Sequence, residues 1–392
     1  MGRVEDFYRT LMRCLGCGVC RAKADDACPM WLGSSGFEAE TPRGIITIAL
    51  DLLDGSISLT KELSNVFYEC SMCSGCVIRC GATDEKGAPL IDVPEVVVAL
   101  REKAVEEGVV PSKVRDFLEN VQRYGNPYGE GRHKRRAWAE GLGVREYRRG
   151  DELLYYVGCV ASHDPRGRAI ARAMASTLSK AGASFGVLSD ESCCGGEVLR
   201  LGEVELFKLL AEENSRKFEQ LGVARVVTTC PHGYYTMRSE YPKLGANVEV
   251  SHHTQLLREL VDGGRLRFSR EVRAVVAYHD PCFLGRRGGE YEAPRQVLSN
   301  IPGVRLVELE RSRERSLCCG GGGGNFYTGM LGGEGSSSRL RVREAYEAGA
   351  EVLATACPMC AIMLEDALKD EGLEGRLRVR DVVEIVAEAM GP

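Results

Sequence analysis

From Leu153 onward, apolar and polar positions alternate in the way that is typical of an α/β domain. Short apolar runs are separated by segments whose apolar residues recur with helical period, and this arrangement occurs twice. The apolar runs cover residues 153–159, 185–188, 225–230 and 248–253, and then 274–282, 304–309, 352–357 and 377–386. Because each set of runs alternates with helical segments, the pattern predicts an α/β module that is duplicated along the chain.

The N-terminal third has a different pattern. Residues 44–55 and 94–108 repeat their apolar positions with helical period, which predicts a mainly helical domain. Residues 124–152 are polar and rich in glycine, and we interpret them as a linker. The predicted division is therefore a first domain at 1–123, the linker at 124–152, a first α/β half at 153–265 and a second half at 266–392.

Composition and charge limit the classes of function. The 392 residues include 51 basic and 56 acidic side chains, so the net charge is -5, without the positive excess that nucleic acid or an anionic bilayer would attract. The predicted linker carries a basic group, His133, Lys134, Arg135 and Arg136. We expect these side chains to form a solvated face, and docking to an acidic partner is the less favoured alternative.

The hydrophobic runs also bear on location. None approaches the ~20 residues that a membrane-spanning helix needs, and the first 14 residues lack the long apolar core of a secretory signal. We therefore expect a cytoplasmic protein without a membrane span, which reaches a membrane only through a partner subunit.

Seventeen cysteines are far more than an intracellular protein of this size usually carries. Their spacing indicates metal binding rather than a disulfide framework. They fall into four groups, which are Cys14, Cys17, Cys20 and Cys28; Cys70, Cys73, Cys76 and Cys80; Cys159, Cys193, Cys194 and Cys230; and Cys282, Cys318, Cys319, Cys357 and Cys360.

The first two groups each contain C-x2-C-x2-C, the spacing with which three thiolates hold three corners of a cubane. In two-cluster ferredoxins the fourth cysteine of each run ligates the other cluster. We therefore predict one [4Fe-4S] cubane on Cys14, Cys17, Cys20 and Cys80, and a second on Cys70, Cys73, Cys76 and Cys28. Zinc ribbons are the alternative, but they use pairs of cysteines rather than triplets.

The other two groups repeat each other. Corresponding cysteines lie 123 to 127 positions apart, and most follow a predicted strand. Because open α/β sheets bind ligands beyond the carboxyl ends of their strands, each half is expected to direct its thiols to one place. The two halves could then face each other across a cleft with pseudo-twofold symmetry.

The stretch "CCGGGGGNF", residues 318–326, has three interpretations. A phosphate-binding loop is disfavoured because no Lys-Ser/Thr follows the glycines and no clear helix begins before about Ser338. A catalytic thiol is disfavoured because no activating base singles out one cysteine of the pair. Metal ligation explains more, since five thiolates exceed the needs of zinc or an ordinary cubane, and glycines let the backbone approach the sulfurs. A purely structural turn is the remaining alternative.

The spacing C-x35-CC-x37-C-x2-C at Cys282, Cys318, Cys319, Cys357 and Cys360 resembles the CCG motif of heterodisulfide reductase B and D subunits. The flanking stretches "YHDPCFLGR", "ATACPMCAIML" and, in the first half, "ESCCGG" are similar to the wider family of CCG iron-sulfur oxidoreductases. The layout is similar to that of the D-type subunit, and it also resembles the iron-sulfur subunits of glycolate or lactate oxidation and of electron-transfer-flavoprotein quinone reduction. The resemblance implies an α+β multidomain protein, in which a helical ferredoxin-like domain with two [4Fe-4S] clusters precedes a duplicated α/β CCG module.

The resemblance also implies a site of reaction. In heterodisulfide reductases the five motif cysteines hold a noncubane [4Fe-4S] cluster on which a disulfide is cleaved, so the five C-terminal cysteines are expected to do so here. The first half departs from the motif, because Gly233 stands at the fifth cysteine position. Its four thiolates could hold zinc or a further cluster, and the site could also be empty. His232 could add a nitrogen ligand, but a structural role through hydrogen bonds is the favoured interpretation for this residue.

Three histidines are predicted at strand ends near the cleft, namely His252, His253 and His279. Hydrogen bonding to loop carbonyls is the favoured interpretation for each, and proton donation to a thiolate or quinol is the alternative. His279, three residues before Cys282, is the best candidate for proton donation.

The predicted function is that of an iron-sulfur oxidoreductase subunit that relays electrons through two cubanes to the CCG cluster and reduces or forms a disulfide. The alternative is an electron-transfer subunit that links a flavoprotein dehydrogenase to quinone. Expected partners are a flavoprotein or a membrane cytochrome or quinone subunit, together with a small disulfide or quinone. A zinc-stabilised scaffold would leave the two cysteine triplets unexplained.

Overall fold

A computed structural model describes residues 3–21, 28–33 and 36–391 of the chain. Within these residues the C-terminal two thirds contain two four-stranded parallel sheets. The first sheet consists of β1 (Leu153–Tyr155), β2 (Phe185–Gly186), β3 (Arg225–Thr228) and β4 (Glu249–His252). The second consists of β5 (Ala274–Tyr278), β6 (Val304–Val307), β7 (Val352–Thr355) and β8 (Arg378–Asp381).

The two sheets have the same topology. Their strand orders are β2-β1-β3-β4 and β6-β5-β7-β8, and every neighbouring pair is parallel. The central strands β1 and β7 are buried along their whole length, as expected for parallel strands that helices cover on both faces. This repeated order confirms the duplication that the apolar runs predict.

Helices cover both sheets. In the first half they are α8 (Cys159–His163), α9 (Pro165–Lys180), α10 (Gly196–Arg200), α11 (Val204–Leu221), α12 (Pro231–Tyr235) and α13 (His253–Asp262). In the second half they are α14 (Glu292–Asn300), α15 (Asn325–Thr328), α16 (Ser337–Glu347), α17 (Pro358–Asp370) and α18 (Val382–Ala389). Helix α9 packs against α17 and α18, so the two halves share one hydrophobic core.

The prediction of one strand over residues 377–386 is wrong. The strand ends at Asp381, and α18 begins directly after it, at Val382. The carboxylate of Asp381 accepts a hydrogen bond from the backbone N–H of Val383 and so caps the helix. Val379 of β8 and most residues of α18 are buried, so apolar positions continue across the boundary and the residue pattern alone does not separate the strand from the helix.

The N-terminal domain is helical, as predicted. Its helices are α1 (Tyr8–Leu11), α2 (Pro29–Leu32), α3 (Pro42–Leu53), α4 (Lys61–Tyr68), α5 (Gly75–Arg79), α6 (Val93–Glu106) and α7 (Ser112–Tyr124). Shorter 3-10 turns occupy Val4–Phe7, Val19–Arg21, Glu38–Glu40, Arg132–Ala139, Tyr241–Leu244 and Arg313–Arg315, and a π-helical turn occupies Thr236–Glu240. Thr41 caps α3 by accepting a hydrogen bond from Gly44, and Pro42 occupies the first helical position.

The segment predicted as a linker is packed against the first half. Trp138 is 2% exposed and meets the ring of Tyr155 edge to face. Residues 145 and 147 exchange backbone hydrogen bonds with Val187, beside β2. Arg135, expected on a solvated face, is 3% exposed because its charge is met by the buried carboxylate of Glu191. The domain boundaries themselves remain predictions.

None of the helices in the described ranges is both long enough and apolar enough to cross a membrane.

Candidate metal centres

Four thiols of the N-terminal domain lie around one cavity. Cys14, Cys17, Cys20 and Cys80 line it, and we call them the surface set because Cys17 is exposed. Helix α5, which ends one residue before Cys80, packs against the 3-10 turn that contains Cys20. Burial and the neighbouring thiols of Cys14, Cys80 and Cys17 raise the pKa of Cys20 to about 11.

Four further thiols, which we call the inner set, line an adjacent cavity. They are Cys28, Cys70, Cys73 and Cys76. Burial, followed by the neighbouring Cys73 and Cys70 thiols, raises the pKa of Cys28 to about 12. Cys76 borders both cavities. Burial raises the pKa of Cys76 well above the ordinary value, and among the neighbouring thiols Cys28 raises this pKa more than Cys20 does. The structure thus brings each triplet together with the fourth cysteine of the other run.

The loop of the inner set has an unusual backbone. Met72 and Ser74 have φ of 57° and 59°, in the left-handed region that residues other than glycine seldom adopt. These two residues turn the backbone between Cys70 and Cys76, and the three thiols of this segment line one cavity. Backbone strain of this kind is found where a ligand or cofactor requires it.

The five cysteines of the second half form a third group, which we call the second CCG set. The Sγ atoms of Cys282 and Cys318 are 3.8 Å apart, and those of Cys319 and Cys360 are 3.2 Å apart. Cys357 caps α17, and its Sγ accepts a hydrogen bond from the Cys360 backbone N–H. All five thiols are buried. Cys282 and Cys357 lie shortly after the carboxyl ends of β5 and β7, as predicted for most of the cysteines, whereas Cys318 and Cys319 lie further beyond β6 and Cys360 lies within α17.

The electrostatics of the second CCG set suit a positively charged occupant. Hydrogen bonds with neighbouring thiols raise the pKa of Cys318 and of Cys360 well above the ordinary value. Cys319 responds in the opposite direction, because its hydrogen bonds with Cys318 and Cys360 lower its pKa. Without added positive charge, thiolates that are buried side by side repel one another. Iron supplies that charge and deprotonates thiols that coordinate it, so these residues fit an iron-sulfur cluster.

His279 lies beside the second CCG set. One ring nitrogen and the sulfurs of Cys319 and Cys360 all lie within 4.8 Å of one another. The imidazole is fully buried, and in the described part of the chain neither ring nitrogen has a hydrogen-bond partner that meets standard geometry. Burial lowers the pKa of His279. The hydrogen bond to a loop carbonyl that the sequence favours is therefore absent here.

His252 and His253 do not face these thiols as His279 does. Nδ1 of His252 is 2.8 Å from the hydroxyl of Thr254, and Nε2 of His253 is 3.1 Å from a carboxylate oxygen of Asp381 in the other half. Burial, followed by the neighbouring His253, lowers the pKa of His252 well below its ordinary value. Each imidazole thus has a side-chain partner, the backbone of Thr229 and of Ala356 also acts on the pKa of His252, and His253 helps to join the two halves.

The cysteines of the first half, which we call the first CCG set, are Cys159, Cys193, Cys194 and Cys230, and they line one cavity. Residues Pro358 and Met359 of the second half complete its wall. The guanidinium of Arg135 donates to Cys159 Sγ at 3.6 Å. A hydrogen bond with Cys193, followed by the charge of Arg135, lowers the pKa of Cys159 to about 7 in spite of its burial.

Gly233 lines the same cavity, and His232 is beside it. Nδ1 of His232 is paired with Glu197 at 2.5 Å, and the other oxygen of Glu197 accepts a hydrogen bond from the Gly324 backbone N–H. One nitrogen of His232 is thus already occupied, and the residue connects the first half to the glycine run. Neither the partner nor the connection was indicated by the sequence.

The glycine run packs against the rest of the protein as well as against the thiols. A Cβ atom at Gly321 would lie 3.7 Å from Cys319 Sγ, in keeping with the predicted pocket floor. A Cβ at Gly322 would lie 2.5 Å from the Ser71 carbonyl oxygen, and one at Gly323 only 2.3 Å from that of Cys70. Glycine is therefore needed at 322 and 323 chiefly because the loop of the inner set lies directly against them.

The inner set and the second CCG set are neighbours through this contact. The thiol of Cys318 is 3.9 Å from the hydroxyl of Ser71, within the loop of the inner set. Cys318 also lines the cavity of the inner set, together with Cys73. Arg286 donates to the carbonyl of Cys73 at 2.6 Å and to that of Ser316 at 2.7 Å, which fixes the two loops side by side.

Comparison with known proteins identifies the class. The cysteine-rich domain called CCG matches residues 153–238 and 276–365, and the 4Fe-4S dicluster domain matches residues 10–83. The chain is therefore an iron-sulfur protein with one dicluster domain and two CCG domains. It belongs to the family of CCG-domain iron-sulfur oxidoreductases that includes the D-type subunits of heterodisulfide reductases.

Three relatives define the similarity. The D-type subunit of the dihydromethanophenazine:CoB--CoM heterodisulfide reductase of Methanosarcina barkeri is 32% identical over 400 residues, which cover 96% of this chain and 93% of the relative. The EtfAB:quinone oxidoreductase of Syntrophomonas wolfei is 34% identical over 83% of this chain. FadF of Bacillus subtilis, named as a probable iron-sulfur-binding oxidoreductase, is 35% identical over 86%. The matches span only 47% and 48% of the last two proteins.

The fold also resembles a solved structure. A hypothetical protein from Helicobacter pylori aligns with a TM-score of 0.57 over 90% of this chain and 68% of that one, at 11% sequence identity. At this identity the likeness supports the fold alone.

Proposed function

We propose that the chain is the iron-sulfur subunit of a disulfide-reducing or disulfide-forming complex. In this proposal the surface set and the inner set each hold a [4Fe-4S] cubane, and the second CCG set holds a noncubane [4Fe-4S] cluster. When bound, these groups supply one-electron transfer at three successive positions. The relatives named as D-type subunits of heterodisulfide reductase support the proposal.

The residues of the chain arrange those positions in order. Cys17 of the surface set is exposed, Cys73 of the inner set is buried, and all five thiols of the second CCG set are buried. The contact between Ser71 and Cys318, together with Arg286, keeps the last two sets adjacent. This order connects the protein surface to a water-poor interior in which a disulfide can react without side reactions.

The observation that carries the disulfide reaction is a cavity that leads from the surface to Cys319. Its outer wall is formed by the exposed residues Gly332, Gly333, Asp366 and Asp370, and its inner end by Cys319 and Gly320. Helix α17 contributes Met363 to its side. A subunit that only passes electrons onward needs no such opening, whereas a small disulfide needs access to the thiols.

His279 has a place in this reaction. Reduction of a disulfide to two thiols consumes two electrons and two protons, so a proton must reach a leaving thiolate. The imidazole lies within reach of Cys319 and Cys360. Burial lowers the pKa of His279, and the neighbouring Cys319 raises it. Negative charge that develops there therefore favours proton uptake by His279, which can then pass one of the two protons to a product thiolate, the other coming from solvent.

The second candidate function is a subunit that passes electrons between a flavoprotein and quinone, as the name of the relative EtfAB:quinone oxidoreductase suggests. The chain would then act with partner subunits, which could also hold it at a membrane. The four thiols of the first CCG set would hold zinc or a further cluster under either function.

Metal content tests whether the second CCG set holds an iron-sulfur cluster. Iron, zinc and acid-labile sulfide are measured per chain on anaerobically purified protein. About twelve irons are expected, from two cubanes and one four-iron cluster. About eight irons with one or two zincs would leave the second CCG set without iron and would refute disulfide turnover at that site.

The response to an added thiol separates the two functions. In the variant Met363→Trp, the larger side chain should abolish the spectral change that an added small thiol produces in the oxidised protein, while iron content is retained. Ile362→Trp is the control, because Ile362 is a partly buried neighbour on α17 that does not line the cavity. A wild-type protein that shows no thiol response would favour the electron-transfer subunit, and an unchanged response in Met363→Trp would show that thiols do not reach the cluster through this cavity.

A further inference from the structure

Exposed apolar side chains are concentrated around the surface set. The part of the chain that the structure describes has ten large apolar side chains with high exposure, and five of them are at residues 8–19 or 78. Four of these five form what we call the apolar patch, namely Met12, Leu15, Val19 and Ile78, which are 60%, 75%, 48% and 43% exposed. Such a concentration on a water-soluble surface marks an interaction site.

The apolar patch surrounds the most exposed thiol of the molecule. Leu15 and Val19 line the cavity of the surface set together with Cys17. Helix α5, which carries Ile78, packs against the 3-10 turn that begins at Val19. Among the cysteines that the structure describes, only Cys17 is exposed. In the sequence it lies between Leu15 and Val19.

The charged side chains within the segments that carry the patch are all basic, whereas Arg43, which lines the cavity of the surface set, is paired with Glu38. Residues 8–20 and 75–82 contain Arg9, Arg13 and Arg79 and no carboxylate, although the chain as a whole carries a net charge of -5. Arg9 and Arg13 are exposed. The nearest carboxylates along the chain, Asp6 and Asp84, accept hydrogen bonds from backbone N–H groups of their own turns.

We propose that the apolar patch and its arginines are the docking surface for an acidic electron-transfer protein. One electron passes per encounter between the redox centre of that partner and the surface set, so that one centre is oxidised as the other is reduced. The inference rests on the proposed function, because it requires a cluster at the surface set. An anionic bilayer also binds surfaces with apolar and basic side chains. Lipid, however, has no redox centre that could exchange electrons with a cluster at the surface set.

The first test measures the rate at which a reduced acidic [2Fe-2S] ferredoxin reduces the oxidised, iron-loaded protein. The variant combines Met12→Glu with Ile78→Glu, and it should lower the second-order rate constant at least tenfold. The control is Leu209→Glu, which makes the same change at a 64% exposed leucine on α11 and should leave the rate unchanged. Iron content and reduction by dithionite are measured for each variant.

The second test concerns charge. Replacing Arg9 and Arg13 by glutamate should slow reduction by the ferredoxin, whereas the same changes at Arg115 and Arg123, exposed on α7, should not. The wild-type rate constant should fall as the salt concentration rises, because the attraction between opposite charges is screened. Rates that rise with salt, or that are equal in all variants, would overturn the docking surface while leaving the proposed function intact.

Two further outcomes separate the alternatives. If the wild type sediments with anionic vesicles and the Met12 and Ile78 double variant does not, the patch is a membrane surface and the proposal is wrong. A chain that holds no iron, or that dithionite cannot reduce, would overturn the proposed function and the docking surface together.

Discussion

Gly233 determines how many thiols the first CCG set can offer. A Cβ atom at this position would have Cys194 Sγ, Cys230 Cβ and Met237 Cε as its nearest neighbours, all at 3.8 Å, which is ordinary contact. The corresponding thiol in the second half, that of Cys360, is 3.2 Å from Cys319. The first half therefore has room for the Cβ of a fifth cysteine, which its sequence does not supply.

We predict that Gly233→Cys allows the first half to hold an additional cluster. Iron and acid-labile sulfide should rise by up to about four per chain relative to the wild type. Gly233→Ser is the matched control, because it adds a side chain of similar size without a thiol. Equal iron content in the two variants would mean that the first half cannot assemble the cluster even with five cysteines.

Gly323 is a second residue at which the structure makes a sharp prediction. Its φ is 63°, and a Cβ would lie 2.3 Å from the carbonyl oxygen of Cys70. Gly323→Ala should cost about 2 to 4 kcal/mol, from the left-handed backbone and the collision together. Gly329→Ala is the control, since Gly329 has φ of 60° and its nearest neighbour is 3.8 Å away; it should cost only about 1 kcal/mol.

The measurement is anaerobic thermal unfolding of the two iron-loaded variants. The melting temperature of Gly323→Ala should fall clearly below that of Gly329→Ala. Equal melting temperatures would show that the loop of the inner set does not press against the glycine run.

At the residue scale, the sequence predicts some site residues and not others. The spacing of the cysteines predicts which thiols converge, because two-residue spacing and strand ends are local features. The charged residues around them lack such a signal. Arg135 donates a hydrogen bond to Cys159 from the segment that the sequence predicts to be a polar linker. Glu197 is hydrogen-bonded to His232 from a different helix. Their partners are set by tertiary packing alone.

At the scale of elements, helix α6 joins three parts of the molecule through one side chain. Arg101 is fully buried and donates five hydrogen bonds to four backbone carbonyls. Those carbonyls belong to Phe67 and Cys70 in the N-terminal domain, Arg200 in the first half and Gly323 in the second. The bonds hold the loop of the inner set against both CCG halves.

We expect Arg101→Met to be strongly destabilising although its volume is similar, because it leaves buried carbonyls without donors. The cost should be on the order of 3 to 5 kcal/mol, and the iron of the inner set should be lost more easily during purification. Arg115→Met, at an exposed position on α7, should change neither property. Iron content and the midpoint of urea unfolding are the measurements, and a normal midpoint for Arg101→Met would contradict this role.

The elements themselves were largely predictable. Eight short apolar runs give eight parallel strands, because buried parallel strands are apolar on both faces and leave a continuous signal. The errors occur where burial does not follow composition. The run at 377–386 contains a half-buried strand that leads directly into a mostly buried helix, and the polar segment at 124–152 is packed by Trp138 and the pair Arg135–Glu191.

At the scale of the whole molecule, the thiol sets differ in their depth below the surface. Cys17 is exposed, its companions Cys14, Cys20 and Cys80 are partly exposed, and all five thiols of the second CCG set are buried. The sequence predicts the sets but not this order, which results from the packing of the N-terminal domain on the two halves. Depth should control how each set responds to oxidants and alkylating agents.

We therefore predict an order of chemical modification. When the iron-loaded protein is treated with ferricyanide and iodoacetamide, cysteines of the surface set should be alkylated first, Cys17 leading, because oxidant and reagent reach them from solvent. The inner set, in which Cys73 is buried, should follow, and the second CCG set should react last. Peptide mass spectrometry over time measures the order, and protein unfolded in guanidinium, in which all seventeen cysteines should react at similar rates, is the reference. Modification of Cys282 or Cys357 as early as Cys17 would contradict the buried position of the second CCG set. It would also remove the main structural reason for regarding the surface set as the point where electrons enter or leave.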